Sequence, residues 1–402
     1  MISLDQARGQ ILAAIRPLSR ETVPLDQALH RVAAEPVLAN LDVPAFDNAS
    51  VDGYALRTKD LPALNDAEPV RLRIHATVRA GDPPLPLLPH GTCARIFTGA
   101  ALPPDANAVI LQEETLAEPD DNHVALLASV SPWEGVRFSG EDVRRGSTLV
   151  EIGQRLHPAH LGLLAAAGIT SITAYRRPRI SLITSGNELV DPSPHLVPGK
   201  IPDSNRYLLS ALAQNARATT VWSAHIADEL EPTMLSLRKA ADLSDVIVTT
   251  GGVSVGAADY LKAAFEAIGG QLDLWRIAVK PGRPFAWGRL NRCHWFGLPG
   301  NPVAAFVTWQ LLVLPALRRL EGEVEVLGTR TTARLAEPLT NRGDRLHVLR
   351  VRLGSDGTVR PIGTQASHIQ SGLAVANALL EIPAATAWEA GREVQVELLD
   401  GH

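Results

Sequence analysis

Apolar residues recur at helical spacing from the start of the chain. Leu4, Ala7, Ile11, Leu12 and Ile15 follow Ser3, and Gln6 stands three residues after that serine, the arrangement of a capping box. The spacing predicts an amphipathic helix that ends before Pro17, and a second helix over 25–33. From 44 to 150 the pattern changes to short β-like runs at 70–78, 93–97 and 108–111, punctuated by Pro and Gly, which reads as a small β-rich insert. Residues 157–168 read as a helix returning to the first segment. Over 178–322 strands at 180–184, 220–225 and 246–250 alternate with helices at 205–216, 230–241 and 260–268. Such βαβ alternation implies a mostly parallel, doubly wound sheet with ligands at the carboxyl ends of its strands. Strands at 274–279, 285–287 and 294–296 then lead into a long helix over 302–320. After Gly322 the runs at 330–335, 347–353, 359–361, 378–382 and 393–399 predict a small β-barrel or sandwich.

Length and composition narrow the function. The 402 residues exceed what one hydrophobic core organises, and with 46% apolar and 20% charged residues they support several globular domains. A net charge of −5 argues against a nucleic-acid partner, so anion recognition has to be local. Cys93 and Cys293 are the only cysteines, which excludes a disulfide framework or Cys-rich zinc module and suits a cytoplasmic protein. The first twenty residues carry Asp5 and Arg8 and lack the apolar core of a secretory signal. The run 161–169 is far shorter than the ~20 residues of a membrane span, so no membrane association is expected.

Candidate chemistry lies in the loops. Residues 43–55 pack Asp47, Asn48, Ser50 and Asp52 between apolar positions, an oxygen-rich set that suits Mg²⁺ and equally suits turn capping. Thr98 and Asp142 sit in two further turns, Phe97-Thr98-Gly99-Ala100 and Gly140-Glu141-Asp142. In the α/β region, Thr184-Ser185-Gly186-Asn187-Glu188 follows an apolar strand directly, so its backbone amides fall at the sheet edge where anions are held. Asp203 and Ser204 precede a helix as cap or ligand. Gly251-Gly252-Val253-Ser254 follows the next strand, with Asp259 behind it, and lets backbone N–H groups approach a diphosphate. Neither a Walker loop nor a dinucleotide fingerprint is present. Arg276, Lys280 and Arg283 gather cations around Pro281-Gly282. Gly297-Leu298-Pro299-Gly300-Asn301-Pro302 starts the long helix with Asn301 as cap and Pro302 in its first turn.

Taken together and in this order, these motifs resemble those of the molybdopterin molybdenumtransferases, the bacterial relatives of the gephyrin E domain, along the whole chain. The resemblance implies an α/β multidomain fold. Residues 178–325 would form a doubly wound α/β domain of the MogA/MoaB type, 44–142 a β-rich insert, 1–43 with 143–177 a helical and extended linker domain, and 326–402 a C-terminal β-barrel. It implies a homodimer with active sites shared between chains, the Asp52 loop facing the partner's α/β domain, and a transient contact with the preceding adenylyltransferase. The implied reaction takes adenylylated molybdopterin and molybdate, cleaves the adenylate with Mg²⁺ or another divalent ion, and releases AMP. Carried over by motif, Asp52, Thr98, Asp142 and Lys280 are the catalytic candidates. Ser185, Glu188, Asp228, Gly251, Gly252, Ser254, Asp259, Arg276, Arg283, Pro299 and Ser371 are the substrate-binding ones, and Asp52 and Glu188 the metal ligands. The chain departs from the family where only Arg137 keeps a charge in the stretch before Gly140, where Arg276 stands for a common Lys, where Val51 stands for a common Met, and where Gly372 stands for a frequent second Ser. Two rival activities are adenylyl transfer, one step earlier, and a non-catalytic pterin-binding scaffold.

Overall fold

The capping box at the chain start forms as written. Ser3 Oγ accepts from the Gln6 amide at 3.2 Å, the Gln6 side chain accepts from the Ser3 amide at 3.0 Å, and helix α1 (Leu4–Ala14) buries Leu4, Ala7 and Ile11. The computed structural model describes residues 1–62, 69–118, 122–252 and 260–399. It divides into two units, residues 22–173 and residues 1–21 with 174–402.

In the unit 22–173, six strands form one sheet: β1 (Gly53–Leu56), β2 (Val70–Val78), β3 (Thr92–Ile96), β4 (Ala108–Leu111), β5 (Thr115–Ala117) and β6 (His123–Leu126), in the order β4-β1-β3-β2-β6-β5. Gly53 allows the β1–β4 approach, because a Cβ there would lie 1.8 Å from the Ile110 carbonyl oxygen. Helix α2 (Pro158–Ala166) follows His157 as expected. The helix expected over 25–33 is absent; only a 3-10 turn forms at Leu25–Gln27. Distant partners take the donors a helix would have used: the amides of His30 and Ala33 donate to Leu156 O and Gln154 O, and Val32 bridges Arg155.

The other unit holds the doubly wound sheet: β7 (Arg179–Ser185), β8 (Thr219–Ile226), β9 (Val246–Thr250), β10 (Gln271–Trp275), β11 (Ala286–Leu290) and β12 (Cys293–Leu298), in the order β8-β7-β9-β12-β11-β10. The first four are mutually parallel and β11 runs antiparallel to its neighbours. Period-two alternation divides the strand side chains between two cores. Ile180, Leu182, Val246, Val248, Phe296 and Leu298 pack with helix α3 (Ser204–Asn215) through Leu209 and Leu212. Ile183, Ile247 and Trp295 pack with helices α4 (Leu230–Leu243) and α5 (Tyr260–Ala267) through Leu237, Leu261 and Phe265. The strand expected over 274–279 breaks at Arg276, whose φ of 69° is incompatible with an extended run, and resumes as the two-residue strand Val279–Lys280.

The long helix expected over 302–320 is divided into α6 (Pro302–Thr308), a π-helical turn (Trp309–Val313) and α7 (Leu314–Leu320). Pro315 cannot donate to the carbonyl four residues earlier, Leu311 O. That oxygen instead accepts from buried Arg8 Nε of α1 at 3.2 Å. By length and composition 302–320 could cross a membrane, yet 83% of its apolar window is buried inside the protein. Five strands of the C-terminal region, β13 (Arg330–Leu335), β14 (Leu346–Leu353), β15 (Thr358–Pro361), β16 (Ala378–Ile382) and β17 (Glu393–Leu398), close on themselves in the cycle β14-β15-β13-β17-β16. The barrel holds its own core around Leu349, Val351, Val359, Leu380 and Val396.

Candidate functional site

Strands β7, β9 and β12 end level, with Thr184 opposite Thr250 and Thr250 opposite Leu298. Their carboxyl ends open a cleft of about 620 Å³ lined by Ser185, Glu188, Asp203, Asn205, Gly251 and Pro299 among others. Its walls are fixed by hydrogen bonds between buried groups. Thr184 Oγ1 donates to Asp203 at 2.5 Å, and Asp203 also caps α3 by accepting from the Arg206 amide at 3.0 Å. Asn205 Nδ2 donates to Thr250 Oγ1 at 2.9 Å and to Gly300 O at 2.7 Å, while Thr250 Oγ1 donates to Pro299 O at 2.9 Å. Ser185 Oγ donates to Asp228, and Asp228 and Asn187 exchange bonds in both directions, from the Asn187 amide to the carboxylate and from the Asp228 amide to Asn187 Oδ1. Gly251 sits at φ 91°, and a Cβ there would lie 2.2 Å from Ser185 O, so the close turn anticipated in the sequence has a steric basis. The Glu188 carboxylate is exposed and has no partner among the described residues.

A second cleft of about 550 Å³ adjoins the first, sharing Pro284, Pro299, Asn301 and His368. Its lining includes Lys280, Arg283 and Arg345 and, among the described residues, no carboxylate. The barrel supplies much of it. Strand Val279–Lys280 pairs with β14 so that Lys280 stands opposite His347, and the segment 365–368 closes one side. Burial, together with the nearby charges of Lys280 and Arg350, pushes the His347 pKa down to about 4, so the imidazole is neutral at pH 7. Arg345, His347, Ser367 and His368 join this cleft by long-range pairing, and none of them was among the candidate residues named from the sequence.

In the unit 22–173, the loop ahead of β1 carries Asp52. Asp52 Oδ1 accepts from the Thr98 amide at 2.8 Å and from Thr98 Oγ1 at 2.7 Å. The backbone donor, and then the hydroxyl, hold this exposed carboxyl below its ordinary pKa. Oδ2 has no partner among the described residues. Asp47 and Asn48 serve the turn itself, Asp47 by accepting from the Ser139 amide at 2.7 Å and buried Asn48 by donating to Phe46 O. Asp142 is exposed in the segment that follows, its amide donating to Val43 O.

The remaining candidates are dispersed. Arg276 lies outside the linings of both clefts, its guanidinium 5.9 Å from the Trp275 ring centre. Ser371 is exposed beside Gln370, which lines the first cleft, but does not itself line it. Gly252 adjoins Gly251, and Ser254 and Asp259 fall outside the described residues. Among the described residues no three His, Cys, Asp or Glu side chains converge as a metal site. Mg²⁺ needs only one or two carboxylates when ligand phosphates complete its shell, and the free oxygen of an ionised Asp52 in one unit and the unpaired Glu188 in the other are each a donor of that kind.

Comparison with known proteins agrees along the length of the chain. Family models match as the MoeA N-terminal region (domain I and II) over residues 2–168, the probable molybdopterin binding domain over 181–319, and the MoeA C-terminal region (domain IV) over 332–399. A molybdopterin molybdenumtransferase 2 of Mycobacterium tuberculosis is 36% identical over 381 residues, covering 93% of each chain. The Haemophilus influenzae molybdopterin molybdenumtransferase is 36% identical over 327 residues, 80% of this chain and 78% of its own. A crystal structure of the molybdopterin biosynthesis MoeA protein of Pyrococcus horikoshii superposes with a TM-score of 0.85 at 28% identity, covering 99% of this chain and 100% of its own.

Proposed function

The chain belongs to the molybdopterin molybdenumtransferase family and acts in molybdenum cofactor biosynthesis, and we propose that its two adjoining clefts divide the substrates between them. The strand-edge cleft takes adenylylated molybdopterin and the cation-lined cleft takes molybdate. The observation that carries this division is the contrast in lining. Among the described residues, one cleft presents Glu188 and Asp203 and no lysine or arginine, the other Lys280, Arg283 and Arg345 and no carboxylate. A tetrahedral dianion is favoured only in the second. An adenylylated ligand suits the first, where the Gly251 turn lets backbone amides come close to a diphosphate and hydroxyls and carboxylates can meet the polar edge of a pterin.

Cleavage of the adenylate builds negative charge on phosphate oxygens. Lys280 would stabilise that charge from the adjoining cation-lined cleft, and Asp52, held ionised by Thr98, would bind a divalent ion or orient the attacking oxygen. Mg²⁺ would supply Lewis-acid stabilisation, with Asp52 and Glu188 as its protein ligands. In this reading the protein is a cytoplasmic homodimer in which the Asp52 loop of one chain serves the partner's clefts, with Thr98 and Asp142 beside it. The earlier adenylyl transfer and the scaffold role are not favoured, because relatives that match over most of the chain bear the transferase name.

The test incubates purified protein with adenylylated molybdopterin, molybdate and Mg²⁺ and follows AMP. Release that depends on molybdate supports the proposal, and ATP-dependent adenylation or no turnover at all defeats it. Mixing Asp52→Ala chains with Lys280→Ala chains tests the shared site: each variant alone should be inactive, and the mixed dimer should regain part of the activity.

A further inference from the structure

Arg350 on β14 is 1% exposed, yet among the described residues no carboxylate pairs with it. Its guanidinium instead spends its donors on a single stretch of chain. Nη1 donates to Ile369 O at 2.5 Å, Nη2 to Thr364 O at 2.8 Å and to Ala366 O at 3.3 Å, and Nε to Gln365 Oε1 at 3.4 Å. Gln365 answers by accepting from the Arg350 amide at 3.0 Å and donating to Arg350 O at 3.1 Å. A buried cation costs several kcal/mol to desolvate unless its hydrogen bonds are well made, so the three carbonyls and the amide hold a defined geometry around the fork.

That stretch reaches both clefts. Gln365, Ala366, Ser367 and His368 line the cation-lined one, and His368 and Gln370 line the strand-edge one. Its other side is tied to two helix starts, through Asn301 Nδ2 to Ser367 Oγ at 3.0 Å and Gln370 Nε2 to Ser204 Oγ at 3.1 Å. Arg350 itself lines neither cleft. Gly372 completes the packing, since a Cβ there would stand 3.1 Å from Arg350 Nη1. A side chain at position 372 would therefore press on the fork, which would have to give by a few tenths of an ångström.

We propose that Arg350 is a positioning residue common to both clefts: its planar fork, rather than its charge alone, fixes the segment 364–370 so that His368 and its neighbours serve the two ligands at once. Resting on the division of substrates above, this predicts a joint effect that no residue lining a single cleft can produce.

Arg350→Lys keeps the charge and loses the fork, Arg350→Met loses both, and Gly372→Ala presses on the fork while leaving Arg350 in place. Calorimetry with sodium molybdate and, separately, with adenylylated molybdopterin should show Arg350→Lys weakening both ligands by about tenfold, with Gly372→Ala acting in the same direction by about threefold. Hydrogen exchange should accelerate at the amides of 364–372 and stay unchanged in β7 and β9. Wild-type affinities in folded Arg350→Lys, or a loss confined to one ligand, would overturn the proposal. If Arg350→Met fails to fold, the lysine and alanine variants decide. Should the wild-type protein bind neither ligand, the division of substrates falls, and the exchange rates then judge the Arg350 anchor by themselves: unchanged rates in Arg350→Lys overturn it.

Discussion

The strand-edge cleft and its cation-lined neighbour share a rim but are built on different terms. In the first, Thr184, Asp203, Asn205 and Thr250 are each less than 10% exposed and are committed to one another by hydrogen bonds. In the second, Lys280 and Arg283 are exposed and free of ion pairs among the described residues. Groups held by such protein hydrogen bonds keep their geometry when the ligand leaves, whereas unpaired cations are available to whichever anion arrives. The first cleft is therefore suited to recognise shape and the second to recognise charge.

Gly251→Ala should break the first cleft most severely. The new Cβ meets Ser185 O in a backbone conformation that disfavours any side chain, and we expect a loss of about 2–4 kcal/mol in unfolding free energy. Binding of the adenylylated ligand should vanish with it, as calorimetry and denaturant titration would show. Arg345→Met should sharpen the contrast from the other side, weakening molybdate by about tenfold, or about 1.4 kcal/mol, with adenylylate affinity unchanged. An equal loss of both ligands would remove the distinction. The smallest effect belongs to Thr98→Val. Asp52 is ionised above its depressed pKa, and its contribution to turnover is lost as pH falls through that value. Removing the hydroxyl should move the acid limb of the AMP-release profile upward, and only part of the way to an ordinary aspartate, because the backbone donor remains.

The same contrast governs what could be read from the sequence. Strand-edge residues lie next to their strands, so Ser185, Glu188 and Gly251 announce themselves by following apolar runs. Asp203 was legible as a cap, and it both caps α3 and accepts from Thr184. The cation-lined cleft depends on Lys280 meeting His347 across sixty-odd positions of chain, and neither periodicity nor turn chemistry encodes that pairing. Arg350 was invisible for the same reason: an arginine in an apolar strand gives no sign of the carbonyls that will surround it. The helix expected over 25–33 failed because strand-like partners near Leu156 outbid local bonding. The helix expected over 302–320 is unbroken although Pro315 lies within it, and the donor that takes up the freed carbonyl, Arg8, lies some three hundred residues upstream.

The pairing of Lys280 with the barrel also sets an order of assembly. Arg345, His347 and the 365–368 segment are synthesised after every strand of the doubly wound sheet. A nascent chain that has just completed α7 thus carries the glycine turn and the lining from Ser185 to Pro302, but only half of the cation-lined wall. During translation, the strand-edge pocket is drafted first and the cation-lined pocket is finished last.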